Sequence, residues 1–279
     1  MRIRALLLLA GALADLGAAS DSSPVSRRPD TVAVRSGTLT LRGLLWRPPG
    51  RGPFPAVLFN HGSGTTPERQ TAQAAAVGPV FAAHGYVFLF LFRRGSSLST
   101  DQGTSAADLL GRELAAHGQE ARNEMQLRLL EGDHLGDALA GLEYVRALPD
   151  VDVRRVAVAG HSFGASLTLL MAEREKSVRG FVAFSGSTAN WERAPQLRTR
   201  LLAAVGRSTA PIFFIQAAND HSIAPAKVLS AEMARFGKSH RVVIYPPAGR
   251  TADEGHDFVF SSVKAWEADV FAFLDQCMR

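Results

Sequence analysis

Hydrophobic positions in this chain alternate between short unbroken runs and longer stretches with a helical period. The unbroken runs are Ala56-Val57-Leu58-Phe59, Tyr86 through Phe92, Val156-Ala157-Val158-Ala159, Phe181-Val182-Ala183-Phe184, Ile212-Phe213-Phe214-Ile215 and Val242-Val243-Ile244-Tyr245. Runs with no polar member are what strands buried on both faces of a parallel sheet require. Between them the pattern predicts helices over 67–84, 133–148, 163–176, 191–205, 225–236 and 258–278, with a long polar helical region before Gly132. Two more strand-like runs between Thr31 and Trp46 meet at Ser36-Gly37, a two-residue turn that suggests an antiparallel hairpin. About eight strands alternating with helices imply an α/β fold, a mostly parallel sheet with helices on both faces.

One run ends distinctively. After Val156–Ala159 the chain reads Gly160-His161-Ser162-Phe163-Gly164 and continues as helix, with Leu167, Leu170 and Met171 at helical spacing. A strand that turns this sharply into a helix leaves no room for side chains two residues before and after the turning residue, so glycines are needed there. The turn presents the Ser162 hydroxyl above the sheet. A serine hydroxyl is a poor nucleophile until a base takes its proton, and that base needs a third group to fix its tautomer.

In open α/β sheets such groups sit on loops past the carboxyl ends of strands, here in the chain order serine, acid, histidine. Asp220 is the first carboxylate after the run ending at Ile215, and His256 lies on the loop that precedes the last helix. Asp253, Glu254 and Asp257 are fallback acids, poorly placed to reach the far nitrogen of a histidine beside them in sequence. Developing oxyanion charge needs preorganised N–H donors. Phe163, just after the serine, offers one; the glycine-flanked loop Asn60-His61-Gly62-Ser63-Gly64 offers another, Ser63 first and Gly62 next. His61 is expected to prop that loop. His161 and His221 flank the candidate positions, in structural or substrate-facing roles.

These pieces, His61-Gly62, the Gly160–Gly164 elbow, Asp220 and Gly255-His256, resemble the α/β-hydrolase fold and, within it, the dienelactone hydrolase and prolyl-oligopeptidase-like branch. The resemblance extends over residues 31–278, and Phe92-Arg93-Arg94-Gly95-Ser96 is similar to the Arg-Gly loop after the fourth strand of those enzymes. It implies a hydrolase without a cofactor. Dienelactone hydrolase itself carries a cysteine nucleophile; the serine here shifts the expectation towards ordinary carboxylic esters, hydrolysed through an acyl-enzyme on Ser162. A small exopeptidase or amidase with the same three residues is the rival enzyme. A catalytically silent binding scaffold is the rival from outside enzymes, though such scaffolds usually lose one of the three.

Charge and composition narrow the picture further. The net charge of +5 is spread along the chain, so nucleic-acid binding is not expected, and Arg27-Arg28, Arg93-Arg94 and Arg154-Arg155 read as solvated or locally paired. No P-loop, Rossmann glycine spacing or H-E-x-x-H pair is present, so neither a nucleotide nor a metal is expected. His84, His117, His134 and His240 read as surface residues. The single cysteine, Cys277, excludes an intramolecular disulfide and reads as a bystander at a helix end. Met1-Arg2-Ile3-Arg4, the apolar Ala5–Ala14 run and Gly17-Ala18-Ala19 read as a signal peptide over 1–19, followed by a linker over 20–30 and one domain over 31–279. That predicts an exported protein with no membrane span and a small-molecule ester as its partner. Residues 97–132 are either a cap over the site or a helix packed on the domain, and Phe163, Trp191 and Phe258 are candidates for lining a substrate pocket.

Overall fold

The structure, a computed structural model, describes residues 28–64 and 66–279. The expected signal peptide and nearly all of the linker lie outside the described residues. Among the described residues, eight strands form one sheet: β1 (Asp30–Ser36), β2 (Leu39–Trp46), β3 (Phe54–Asn60), β4 (Val87–Phe92), β5 (Val151–His161), β6 (Gly180–Phe184), β7 (Ile212–Ala217) and β8 (His240–Tyr245). Their order is β1-β2-β4-β3-β5-β6-β7-β8. Only β1 with β2 and β2 with β4 pair antiparallel; every other pairing is parallel. The hairpin turn falls on Gly37-Thr38, one residue later than the sequence suggests, because Ser36 still pairs with Leu39 and Gly37 supplies the positive φ of 57°.

The unbroken apolar runs of β3 to β7 follow from burial on both faces; β8, at the sheet edge, is mostly half-buried and leaves Val242 exposed, so its apolar run does not have that cause. In β4, Val87, Leu89 and Leu91 point into one core, while Phe88, Phe90 and Phe92 point into the other. The aliphatic side is covered by α2 (Ala106–Glu131), α3 (Asp133–Arg146), α4 (Phe163–Ala172), α5 (Pro195–Arg207) and α6 (Ala224–Arg235). The aromatic side is covered by α1 (Pro67–Ala83), α8 (Phe258–Ser261) and α9 (Val263–Cys277), with Phe81 stacked on Phe88 of β4, Phe271 edge-on to Phe81, and Trp266 edge-on to Phe184 of β6. A one-turn α7 (Ala252–His256) lies between β8 and α8. The expected terminal helix is therefore two helices, broken at Ser262, whose φ of −127° is not helical. Cys277 is buried near the end of α9. No helix among the described residues is long and apolar enough to cross a membrane.

Two expectations about charged residues fail in the same region. Arg93, read as solvated or paired, is 1% exposed, and His134, read as a surface residue, is also 1% exposed. Arg94 does pair: its guanidinium and backbone N–H donate to Asp137, which is fully buried and also accepts from the Ser36 hydroxyl at 2.7 Å. This cluster ties β1, the loop after β4 and α3 together. Removing one partner of a buried pair leaves the other uncompensated, so Asp137→Ala is expected to lower unfolding free energy by about 3–5 kcal/mol, measured by urea denaturation. A loss below about 1 kcal/mol would contradict that role.

Three histidines, His61, His134 and His161, are buried. Burial is the largest cause pushing each below the ordinary histidine value, His134 to about 3 and His161 to about 4; the charge of Arg93 adds to it for His61 and His134, and that of His256 for His161. The unfolded chain takes up these protons near pH 6.5 and the folded chain does not. Stability is thus fully present above about pH 6.5 and declines as the pH falls towards 4. The urea midpoint is expected to drop between pH 7.5 and 5, with His134→Phe removing part of the slope; a flat midpoint would overturn this.

Candidate active site

Ser162 sits between the end of β5 and the first residue of α4, with φ 57° and ψ −118°. Such a backbone is strained for a non-glycine residue, typically by about 1–3 kcal/mol. Its N–H donates to the Phe184 carbonyl of β6 at 2.9 Å, which fixes the turn. Gly160 and Gly164 face each other across the turn. A methyl on Gly164 would collide with the carbonyl oxygens of Asn60 and His61, and one on Gly160 with the Gly164 carbonyl and the Thr168 hydroxyl. Both glycines are therefore required by close approach of backbone to backbone.

The structure brings Ser162, His256 and Asp220 together. His256 Nε2 lies 2.9 Å from Ser162 Oγ, and Nδ1 lies 3.0 Å from Asp220 Oδ1. A carboxylate only accepts, so the Nδ1–H donates to Asp220 and Nε2 is free to accept from the serine hydroxyl. The Asp220 side chain is fully buried. Burial alone would raise its pKa, but the hydrogen bond and charge of His256, with the Thr188 and Ser185 hydroxyls, outweigh it and hold the carboxyl below its ordinary value. Asp220 Oδ1 also accepts the His221 backbone N–H at 2.7 Å. The acid thus stays ionised and aimed.

His256 is not on an open loop but is the last residue of α7. Thr251 and Glu254 close a capping box at the start of that helix, which the Thr-x-x-Glu pattern announces. Asn219, the residue before the acid, pins the segment: it accepts from Ala248 N–H and donates to the carbonyls of Ala248 and Thr251, each at 2.9 Å. Thr188 Oγ1 lies 2.9 Å from His256 Nδ1. Asn219 and Thr188 had no sequence signal beyond proximity to a candidate, since Asn and Thr are common in any loop.

The fallback acids have other partners. Asp257 pairs with Arg69 and lies 3.9 Å from His161, Asp253 lies 3.0 Å from His221, and Glu254 caps α7. His161 lies tilted beside His256 and its Nε2–H donates to the His256 carbonyl at 2.9 Å, a supporting position; the His221 ring packs edge-on against His256 and lines the cleft. Asp220, His221 and His256 offer ligand atoms within 4.8 Å of one another, a histidine–carboxylate cluster in space that the sequence order hides. A cation held there would need the His256 Nδ1 proton removed and its hydrogen bond to Asp220 broken.

A cleft of about 660 Å³ opens over Ser162. Gly62 and Ser63 form its floor beside the serine, and a Cβ on Gly62 would lie 3.5 Å from Ser162 Cβ. The Phe163 N–H stands at the first position of α4, where no carbonyl of the helix can accept it. Phe163 and Ser63 also line a small recess of about 30 Å³ next to Ser162. Trp191 and Phe258 pack into the core instead, since both are buried in the clusters that cover the sheet. Helix α2 supplies one wall: Gly118, at φ 82°, breaks it into two segments, so that Leu114, Gln119 and Arg122 face the cleft. Arg193 faces Arg122, and burial together with that like charge pushes Arg122 below the ordinary arginine value. A larger groove of about 810 Å³ at the opposite end of the sheet contains none of these groups.

The model of the dienelactone hydrolase family matches residues 41–273. Among solved structures, the chain is similar to a dienelactone hydrolase from Anabaena variabilis, with TM-score 0.60, 20% identity, and 90% of this chain and 100% of that one covered. A Pyrococcus furiosus esterase gives TM-score 0.64 at 14% identity, covering 90% and 92%. The Pyrococcus horikoshii acylaminoacyl peptidase gives TM-score 0.60 at 16% identity; 86% of this chain is covered but only 41% of the peptidase, so the chain spans about two-fifths of that protein. No curated protein sequence gives a significant match. Likeness at these identities carries the α/β-hydrolase fold, and the family match, spanning most of the sheet and every residue of the Ser162 site, carries the rest: the chain belongs to the dienelactone hydrolase family of hydrolases.

Proposed function

We propose that this protein is a serine hydrolase that cleaves a carboxylic ester through an acyl-enzyme on Ser162. The observation that carries the reading is the single imidazole of His256, bonded through one nitrogen to the Ser162 hydroxyl and through the other to a buried carboxylate. As the Ser162 oxygen attacks the ester carbonyl, its proton passes to His256 Nε2, and Asp220 stabilises the imidazolium. The oxyanion is met by the Phe163 and Ser63 N–H groups. His256 then returns the proton to the departing alcohol. Water, deprotonated by the same nitrogen, releases the acid and restores the serine. Every proton moves between groups of this chain, substrate and water.

The cleft supports a compact polar ester over a long aliphatic one. Gln70, Gln73, Gln119, Asn190 and the Arg122 and Arg193 guanidiniums outnumber Leu114 as its walls. Helix α2 acts as a fixed wall that sets substrate size.

Steady-state kinetics with matched ester and amide pairs test the reading. Ser162→Ala and His256→Ala are expected to lower kcat by roughly 10⁴- to 10⁶-fold, and Asp220→Asn by about 10⁴-fold because it leaves the wrong tautomer. Faster turnover of amides than of their matched esters would replace the ester reading by the amidase one. A folded protein inert towards every activated ester would leave only a binding scaffold.

A further inference from the structure

Arg93 is a buried cation without a carboxylate. Its side chain lies at the end of β4 and is 1% exposed, and Nε and Nη1 have no partner among the described residues. The nearest acid, Asp137, is taken by Arg94. A desolvated guanidinium of this kind is costly, and a core of the same shape would be better filled by an apolar side chain. Burial pushes Arg93 down to about 9, against a partial offset from Asp137, which leaves it charged at neutral pH.

What Arg93 does touch is specific. Nη2 donates to the His61 carbonyl at 2.7 Å and to the Gly62 carbonyl at 3.0 Å. Each carbonyl belongs to a peptide unit whose other end is an N–H on the loop beside Ser162. The His61 carbonyl shares its peptide with Gly62 N–H, and the Gly62 carbonyl shares its peptide with Ser63 N–H. The Gly62 carbonyl receives a second donor as well. The Arg93 backbone N–H donates to His61 Nε2 at 3.1 Å, so the His61 proton is on Nδ1, which lies 2.7 Å from the Gly62 oxygen. Arg93 therefore sets the His61 tautomer with its main chain and holds the two loop carbonyls with its side chain. The guanidinium also lies over the ring of Phe163, the residue after Ser162, 5.7 Å from its centre.

We propose that Arg93 is a positioning residue for the oxyanion site, acting through the His61–Gly62 and Gly62–Ser63 peptides. A cation on the carbonyl end of a peptide draws electron density from the far N–H and makes it a stronger donor, and chained hydrogen bonds polarise one another in this way. The same contacts fix the planes of both peptides, so the N–H groups need no reorganisation when charge develops. The inference rests on the ester-hydrolase reading above. It goes beyond that reading by giving a function to the buried charge and by adding Gly62 N–H to Ser63 N–H as a polarised donor.

The test compares wild type with Arg93→Lys and Arg93→Met on one activated ester, together with the infrared carbonyl band of the acyl-enzyme made from carbon-13-labelled ester. Arg93→Met is expected to lower kcat roughly tenfold to a hundredfold, less than the loss of a whole donor, with KM nearly unchanged. Its acyl carbonyl band is expected to move to higher wavenumber, since a weaker oxyanion site polarises that bond less. Arg93→Lys, which keeps a cation in the core, recovers part of both effects and serves as the folded comparison if Arg93→Met does not fold. Unchanged band positions in the folded variants would overturn the proposal, even if stability or kcat fell, because a purely structural prop need not polarise the carbonyl. A wild type that forms no acyl-enzyme would instead bring down the ester reading and this inference with it.

Discussion

The working end of this sheet depends on how closely α4 approaches β3 and β5. Two glycines make that approach: Gly160 at the end of β5 and Gly164 in the first turn of α4 leave their side-chain space to carbonyls of the elbow and of the β3 loop. The residue between them has no relaxed conformation available. Ser162 takes φ 57°, and the hydrogen bond from its N–H to Phe184 and the burial of all of α4 hold it there. The strain is local and small next to the packing that maintains it. Its consequence is positional: a hydroxyl raised above the carboxyl edge of the sheet, at the start of a helix whose first N–H has no helical acceptor.

From that fixed point the site is assembled by loops that constrain one another. Asn219 joins the acid-bearing loop to the histidine-bearing segment, and the capping box of Thr251 and Glu254 shapes the turn that ends at His256. The β3 loop is held from below by Arg93 and by His61. The histidines nearest these contacts are pushed below the ordinary histidine value, first by burial and then by the charge of Arg93, so they add no positive charge beside that cation at neutral pH.

Much of this was legible in the sequence, for physical reasons. A strand buried on both faces must be apolar throughout, so β3 to β7 stand out as runs; an elbow needs its glycines; and the chain order of serine, acid and histidine follows from loops at the carboxyl edge. What stayed hidden was whatever depends on burial of a polar residue. Arg93 and His134 look like surface residues because charge and polarity normally mean exposure, and nothing in Phe92-Arg93-Arg94-Gly95 says that one arginine turns inward and its neighbour pairs with Asp137. The break of α2 at Gly118 and its role as a cleft wall were equally hidden, since a lone glycine in a polar helical stretch has no fixed meaning. The Asp220–His221–His256 cluster was invisible because its members are brought together by two separate loops.

The central claim is that His256 and Asp220 make the Ser162 oxygen nucleophilic. Reaction with a fluorophosphonate probe, followed by peptide mass spectrometry, measures this without knowledge of the substrate. Label on Ser162 in the wild type, lost in Ser162→Ala and strongly slowed in His256→Ala, is the predicted result. A folded wild type that takes no label, or takes it on another residue, would contradict the account.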